Sequence, residues 1–296
     1  MSASTLVEST ARDWLTLTKP GVMMLVLFSG AVGMWLAPVS LNPIIQIAVI
    51  VAIGMGSASG AIFNMVYDRD IDSVMKRTQK RPIVTGAIAA GDAGLQGILL
   101  SIAGVAILGL ATNWWAAALL AFSVFFYSVI YTVWLKRHTA QNIVIGGAAG
   151  AFPPVIGWLA ATGDAMHLLP WLLFLTIFLW TPPHFWALAL YRNEDYKTAK
   201  VPMLPVTAGK AATKKQMLVY TLILVATTLA IPFSTPTLGW LSFAAAAGLG
   251  GMFIVHSVRV LRADNDKIAM KMFGYSIMYL FALFAALLLD YWTIPK

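Results

Sequence analysis

Apolar runs long enough to cross a bilayer recur along the whole chain, near residues 20–37, 43–64, 93–111, 114–135, 141–160, 168–190, 216–233, 238–258 and 273–292. A hydrocarbon core about 30 Å thick needs roughly 20 helical residues, and a backbone in lipid must satisfy its polar groups within its own segment. The sequence therefore predicts an all-α, polytopic membrane protein with nine transmembrane helices around a central cavity. Composition agrees: 59% of residues are hydrophobic, only 11% are charged, and the mean hydropathy is +0.79. An ordinary soluble domain is excluded.

Charge placement tests the span count, because short cytoplasmic loops carry the Lys and Arg excess. With a cytoplasmic N-terminus, Arg12 and Lys19 lie in the arm, and Arg69, Lys76, Arg77, Lys80 and Arg81 in the loop after span two. Lys136 and Arg137 follow span four. Arg192, Lys197, Lys200, Lys210, Lys214 and Lys215 follow span six, and Arg259, Arg262, Lys267 and Lys271 follow span eight. Every one of the 20 basic residues except Lys296 thus falls on one side. Topology accounts for most of the +8 net charge, which argues against nucleic acid as a partner. The chain has no cysteine, so disulfides, thiolate metal sites and cysteine nucleophiles are excluded. The polar arm over residues 1–18, with Glu8, Arg12 and Asp13, shows no cleavable signal pattern, and the first span is expected to be retained. No linker or low-complexity tract interrupts the sequence, so residues 1–296 are read as a single membrane-embedded domain.

Chemistry concentrates in the segment FNMVYDRDID, where Asn64, Asp68 and Asp72 stand four residues apart at the end of span two. On a helix, each step of four turns the side chain by only about 40°, so the three share one face while Asp70 points elsewhere. Two carboxylates and an amide oxygen suit Mg²⁺, which completes its shell with water and substrate phosphates. Bridging cations would let this acidic stripe hold a diphosphate, with Arg77, Arg81 and Lys200 as further donors. A fainter pattern repeats: Pro82–Gly86 (PIVTG) echoes Pro205–Gly209 (PVTAG), and each follows an acidic segment, the second holding Arg192, Glu194 and Asp195. If the two segments face one another, acidic sites flank one cavity on the cytoplasmic side. Pro153-Pro154 and Pro182-Pro183 are expected to kink spans five and six, and the small residues of GMGSASGA and GGAAGA to let helices approach closely. An apolar cavity suits an isoprenoid tail. Phe63, Tyr67, Phe126, Tyr127, Tyr131, Trp180, Phe185 and Trp186 are placed to line it and to stabilise an allylic cation.

The N-x3-D-x3-D stripe, the nine spans and Lys19-Pro20 at the mouth of span one resemble the UbiA superfamily of intramembrane prenyltransferases, over about residues 15–290. LTKPGVMMLV, NMVYDRDIDSVMKRTQKRP, YTVWLKRHTAQNIVIGGAAGAFPPVIGW, TPPHFWALALYRNEDY and VPMLPVTAG are most similar to its haem-farnesylating branch. The resemblance implies transfer of a farnesyl group from farnesyl diphosphate to a vinyl group of haem B, with water capturing the resulting cation to give haem O. It implies Mg²⁺ held by Asn64, Asp68, Asp72 and Asp195, and a diphosphate met by Lys19, Arg77, Arg81, Arg192 and Lys200. It also places Lys136, Arg137, His138 and His184 at the acceptor, an axial or positioning role for His184 competing with a hydrogen bond of helix packing. A cytoplasmic (inner) membrane location is implied, with the active site on the cytoplasmic side and contact with haem A synthase or the terminal oxidase assembly. The chain departs from the superfamily pattern at Ala199, where many members carry a second aspartate four residues after the counterpart of Asp195. A superfamily member acting on an aromatic or quinone-precursor acceptor would share the stripe. A transporter would carry ionisable residues near mid-membrane, and these spans carry almost none. His167 and His256 are expected in structural or surface roles.

Overall fold

A computed structural model describes residues 9–294, so residues 1–8 of the expected arm, including Glu8, and the C-terminal Lys296 lie outside the described residues. Among the described residues every regular element is helical. A short surface helix α1 (Ala11–Leu17) is capped by Thr10, and α2 (Pro20–Trp35) follows after a 52° bend. Next come the long α3 (Pro43–Tyr67), the short α4 (Arg69–Val74) and α5 (Pro82–Thr85), then α6 (Ala90–Ala111) and α7 (Trp114–Phe125). Helix α7 runs on as a π-helical segment, Phe126–Leu135. The chain continues through α8 (Asn142–Ala151), α9 (Pro153–Thr162), α10 (Leu168–Tyr191), α11 (Asn193–Thr198) and α12 (Leu204–Thr207). It ends with α13 (Gly209–Ala230), α14 (Trp240–Arg262) and α15 (Lys267–Thr293).

Eight helical stretches among the described residues are long and apolar enough to span a membrane, and the protein is an integral membrane protein. The ninth expected span is the exception. At 16 residues α2 is too short alone, and reaches spanning length only together with α1 across the bend. The two proline pairs behave differently. Pro153-Pro154 separates α8 from α9 within one span, whereas α10 runs through Pro182-Pro183 without a break.

Lipid tails are as apolar as leucine, so helices in a membrane are held mainly by close packing. Close contacts occur in both expected stretches, where a Cβ at Gly56 would lie 2.6 Å from Leu120 and one at Gly147 2.9 Å from Thr181, and the closest approaches fall outside them. A Cβ at Gly33 would lie 2.0 Å from the Pro154 carbonyl oxygen, and one at Gly157 would lie 2.0 Å from that of Gly30. Only glycine lets α2 and α9 cross at that distance. At the end of the bundle away from the acidic stripe, Asp290 of α15 accepts from the backbone N–H of Gly239 (2.7 Å) and Ser242 (2.9 Å), capping the free N-terminus of α14.

Candidate active site

Helix α3 ends at Tyr67 and α4 starts at Arg69, yet the hydrogen-bond ladder continues across the joint. Asp68 N donates to Asn64 O (2.9 Å) and Asp72 N to Asp68 O (2.8 Å), so the three side chains keep a common face through the bend. All three are buried, Asp68 completely. A buried carboxylate is tolerated only when paired, and each oxygen-bearing group of the stripe has a cation against it. Lys136 Nζ forms an ion pair with Asp68 Oδ2, which also accepts from Asn64 Nδ2 (2.7 Å). Arg81 Nη1 meets Asp72 Oδ2 at 2.5 Å, and Lys19 Nζ donates to Asn64 Oδ1 at 2.8 Å.

The π-helical segment is what brings Lys136 there. Its hydrogen bonds skip five residues, as in Lys136 N to Tyr131 O (2.8 Å), and Thr132 Oγ1 likewise reaches Tyr127 O (2.8 Å). The widened turn sets Thr132 against Asn64 Nδ2 (3.2 Å) and Lys136 against Asp68. Such π segments recur at functional sites. Stacked rings of Tyr127 and Tyr131, 5.4 Å apart, line its inner side. A Cβ at Gly146 would come within 2.2 Å of the Tyr131 ring, so the GGAAGA stretch makes room for that tyrosine.

Asp70 does point elsewhere. Both its carboxylate oxygens accept from Arg137 at 2.7 Å, and Arg137 also donates to Tyr67 O (3.1 Å) and lies over the Tyr67 ring. The hydrogen bond from Arg137 holds the Asp70 carboxyl below the usual carboxylate range, and reciprocally raises the guanidinium. A cavity of about 670 Å³ opens on this side, lined by Phe63, Val66, Tyr67, Arg69, Asp70, Ser128, Val129, Val133 and Arg137. Arg137 also stands 3.6 Å from Asp68 Oδ1, so it touches both the stripe and this cavity.

The second acidic segment approaches the first over a shared apolar floor. Ile71 and Met75 pack with Ile143, Ala189, Val201 and Met203, with Tyr131, Phe185 and Tyr196 at the margin. Burial pushes the Tyr196 phenol up, opposed by the nearby positive charges of Arg77 and Arg81. The sequence echo is also an echo of structure. Helices α5 and α12 are both single turns with proline in the first turn, and each leads to a glycine with a left-handed backbone, Gly86 (φ 79°) and Gly209 (φ 82°).

Of the residues singled out from sequence, Asn64, Asp68, Asp72, Lys19 and Arg81 converge. Lys136 and Arg137, the basic pair expected at the acceptor, form ion pairs with Asp68 and Asp70. Arg77, Arg192 and Lys200 are exposed, Arg77 close to Tyr196 and Arg192 lying over the Tyr191 ring. His138 turns back on its own segment, with Nδ1 2.8 Å from Trp134 O. His184 makes the packing bond. Its ring stacks between Trp180 (4.1 Å) and Phe273 (4.3 Å), and Nδ1 lies 2.6 Å from Ser276 Oγ. The same hydroxyl lies 2.7 Å from Phe273 O, so Ser276 links the His184 ring to the α15 backbone. His167 sits near Asp164 and Trp158 at the opposite end, and His256 stacks on Tyr275. Sequence reasoning missed Thr132 and the backbone of two site lysines. Lys19 (φ 51°) and Lys200 (φ 53°) are the non-glycine residues with left-handed backbones among the described residues. Each conformation costs about 1–2 kcal/mol and is concentrated where function requires it.

The donor set fits a divalent cation on two grounds. Asp68 Oδ1 and Asp195 Oδ2 are buried carboxylate oxygens without a hydrogen-bond partner. Hard oxygen donors are also the chemistry Mg²⁺ takes. Among the described residues no three acidic or histidine side chains form one cage, so a metal here would complete its shell with phosphate and water.

Spanning helices that carry buried, cation-paired carboxylates to one end define an integral membrane protein with a polar site at that end of the bundle. Residues 26–289 match the UbiA prenyltransferase family, and the chain belongs to it. Relatives named protoheme IX farnesyltransferase include that of Sinorhizobium fredii, 52% identical over 97% of this chain and 91% of its own. Another is that of Methylocella silvestris, 51% identical over 94% and 89%. Among solved structures, a digeranylgeranylglyceryl phosphate synthase superposes with a TM-score of 0.79 at 18% identity, covering 96% of this chain and 99% of its own. A UbiA homolog from Archaeoglobus fulgidus bound to GPP and Mg²⁺ gives 0.63 at 17% identity, covering 93% and 99%. At these identities the likeness is one of fold.

Proposed function

We propose that the chain is a single membrane-embedded domain that transfers the farnesyl group of farnesyl diphosphate to a vinyl group of haem B, giving haem O. The observation that carries this reading is the buried Asn64–Asp68–Asp72 stripe with Lys19, Lys136 and Arg81 on its oxygens. Relatives about half identical over nearly the whole chain, each named protoheme IX farnesyltransferase, supply the acceptor. The positive loops support a cytoplasmic-side site in an inner membrane, with the N-terminus cytoplasmic.

Asn64, Asp68, Asp72 and Asp195 would hold Mg²⁺, which when bound neutralises the charge of the diphosphate as it departs. The chain's cations act on the same charge. Lys19 and Arg81, which lie against the stripe, would with the exposed Arg77, Arg192 and Lys200 donate to diphosphate oxygens as the C1–O bond breaks and its electron pair leaves with oxygen. Tyr127 and Tyr131 present stacked rings beside the stripe, where a π face favours the allylic cation over a neutral species. The vinyl carbon of the acceptor bonds to C1, and water adds to the new cation beside the pyrrole and releases a proton. No protein nucleophile is needed. Arg137, which touches the acidic stripe and lines the recess beside it, is the group offered to the acceptor's carboxylates, with His138 next to it in sequence, and His184 orders the packing of α10 against α15.

Product analysis tests the proposal. Membranes containing the protein are incubated with farnesyl diphosphate, Mg²⁺ and either haem B or 4-hydroxybenzoate, then examined by chromatography. Haem O formed only in the first mixture is the expected result. A prenylated benzoate without haem O would transfer the protein to the quinone-precursor branch.

A further inference from the structure

We propose that Lys136 and Arg81 make metal entry conditional on diphosphate, shielding Asp68 and Asp72 until a diphosphate draws them away. The inference rests on the metal–diphosphate reading above and adds an order of binding to it. Lys136 comes from the end of the π-helical segment and Arg81 from the loop before α5, so two independent elements close over the stripe. Their side chains are 17% exposed, and those of Asp68 and Asp72 are 0% and 4% exposed. Water therefore screens these pairs poorly.

Paired in this way, the two carboxylates present no net negative charge to an arriving divalent ion. The ion would have to displace a largely buried cation and leave it without a counter-ion, which is a costly exchange. A diphosphate changes the balance. It brings several negative charges and a set of acceptor oxygens, so the lysine and arginine keep charge-assisted partners when they leave the carboxylates. Asp68 and Asp72 are then free to take the metal that bridges to the same phosphate groups. Lys136, a point charge on a flexible stem, and Arg81, whose fork suits phosphate oxygens, are chemically suited to this exchange. Lys19 on Asn64 Oδ1 completes the pattern on the third group of the stripe.

Linkage makes the idea quantitative, because coupling between two ligands is reciprocal. Full-length protein in detergent is titrated with Mn²⁺, with and without inorganic pyrophosphate, and bound Mn²⁺ is read by electron paramagnetic resonance after allowing for the Mn²⁺–pyrophosphate complex in buffer. The wild type should bind Mn²⁺ about tenfold or more tightly with pyrophosphate, within the usual range of site-to-site coupling. Pyrophosphate affinity should rise by the same factor with Mn²⁺. Lys136→Met and Arg81→Met, each verified as folded by thermal melting, should bind Mn²⁺ alone more tightly than the wild type, and the coupling should shrink. Equal Mn²⁺ affinity in the wild type with and without pyrophosphate would overturn the inference and leave the metal site standing. Both folded variants retaining wild-type coupling would overturn it as well. A wild type that binds no Mn²⁺ under either condition removes the metal reading itself.

Discussion

The two acidic loops share a plan yet are built to different standards. In the first, Asp68 and Asp72 are buried and each is met by a cation. In the second, Asp195 is half-buried with one oxygen lacking a partner, and Glu194 is 83% exposed in a surface pair with Lys197. A buried ion pair persists only when the surrounding fold holds both partners in place, whereas an exposed pair is worth little. The first loop therefore holds its acids in fixed ion pairs, whereas the second leaves its acids exposed or without a partner. The departure at Ala199, where a second carboxylate is absent, belongs to the same asymmetry.

The largest effect should come from the first loop. Asp68→Asn and Asp72→Asn are expected to lower haem O formation by about a thousandfold, at the upper end of what removing one preorganised electrostatic group costs, with membrane insertion intact. Turnover within tenfold of the wild type in either would break the comparison. Asp195→Asn should cost about ten- to a hundredfold, as for groups that support rather than anchor a metal. A loss equal to that of Asp68→Asn would show the loops to be equivalent.

A smaller change is expected at Asp70, whose side chain is 61% exposed. Because Arg137 lowers its pKa, the pair is complete above the usual carboxylate value of about 4 and is lost only as pH falls through the depressed value. Between pH 5 and 8 the activity profiles of the wild type and Asp70→Asn should therefore run parallel, offset by no more than the roughly 1 kcal/mol of an exposed pair. A new inflection in that range would mean that Asp70 is coupled to the stripe. Glu194→Gln should be nearly silent in both activity and melting temperature, as should Asp164→Asn at the far end, and a clear loss from the latter would place the site wrongly in the bundle.

The spans, the shared face of Asn64, Asp68 and Asp72, and the loop echo were legible in the sequence because each rests on a local period or a local turn. The partners of the acids were not. Lys136 lies 68 residues from Asp68 and reaches it through a π-helical turn whose shifted hydrogen bonds leave no mark on composition. From sequence Lys136 and Arg137 read as acceptor groups, and their pairing with Asp68 and Asp70 stays hidden, since a short basic loop shows its charge without its direction. The apolar run over residues 20–37 shows length, whereas its helix covers Pro20–Trp35 and reaches spanning length only with α1 across the bend at Lys19, a backbone conformation composition does not reveal. His184 was visible as an unusual residue in TPPHFW, and only its contact with Ser276, 92 residues away, reveals the packing bond.

The most direct measurement is a structure of the protein with Mn²⁺ and a non-hydrolysable farnesyl diphosphate analogue, the metal located by its anomalous signal. Metal bonded to Asp68 and Asp72 oxygens at about 2.1 Å, close to the Mg²⁺–oxygen distance, with Lys136 and Arg81 moved onto the diphosphate, is the expected result. A diphosphate bound elsewhere, with both ion pairs still closed, would contradict it.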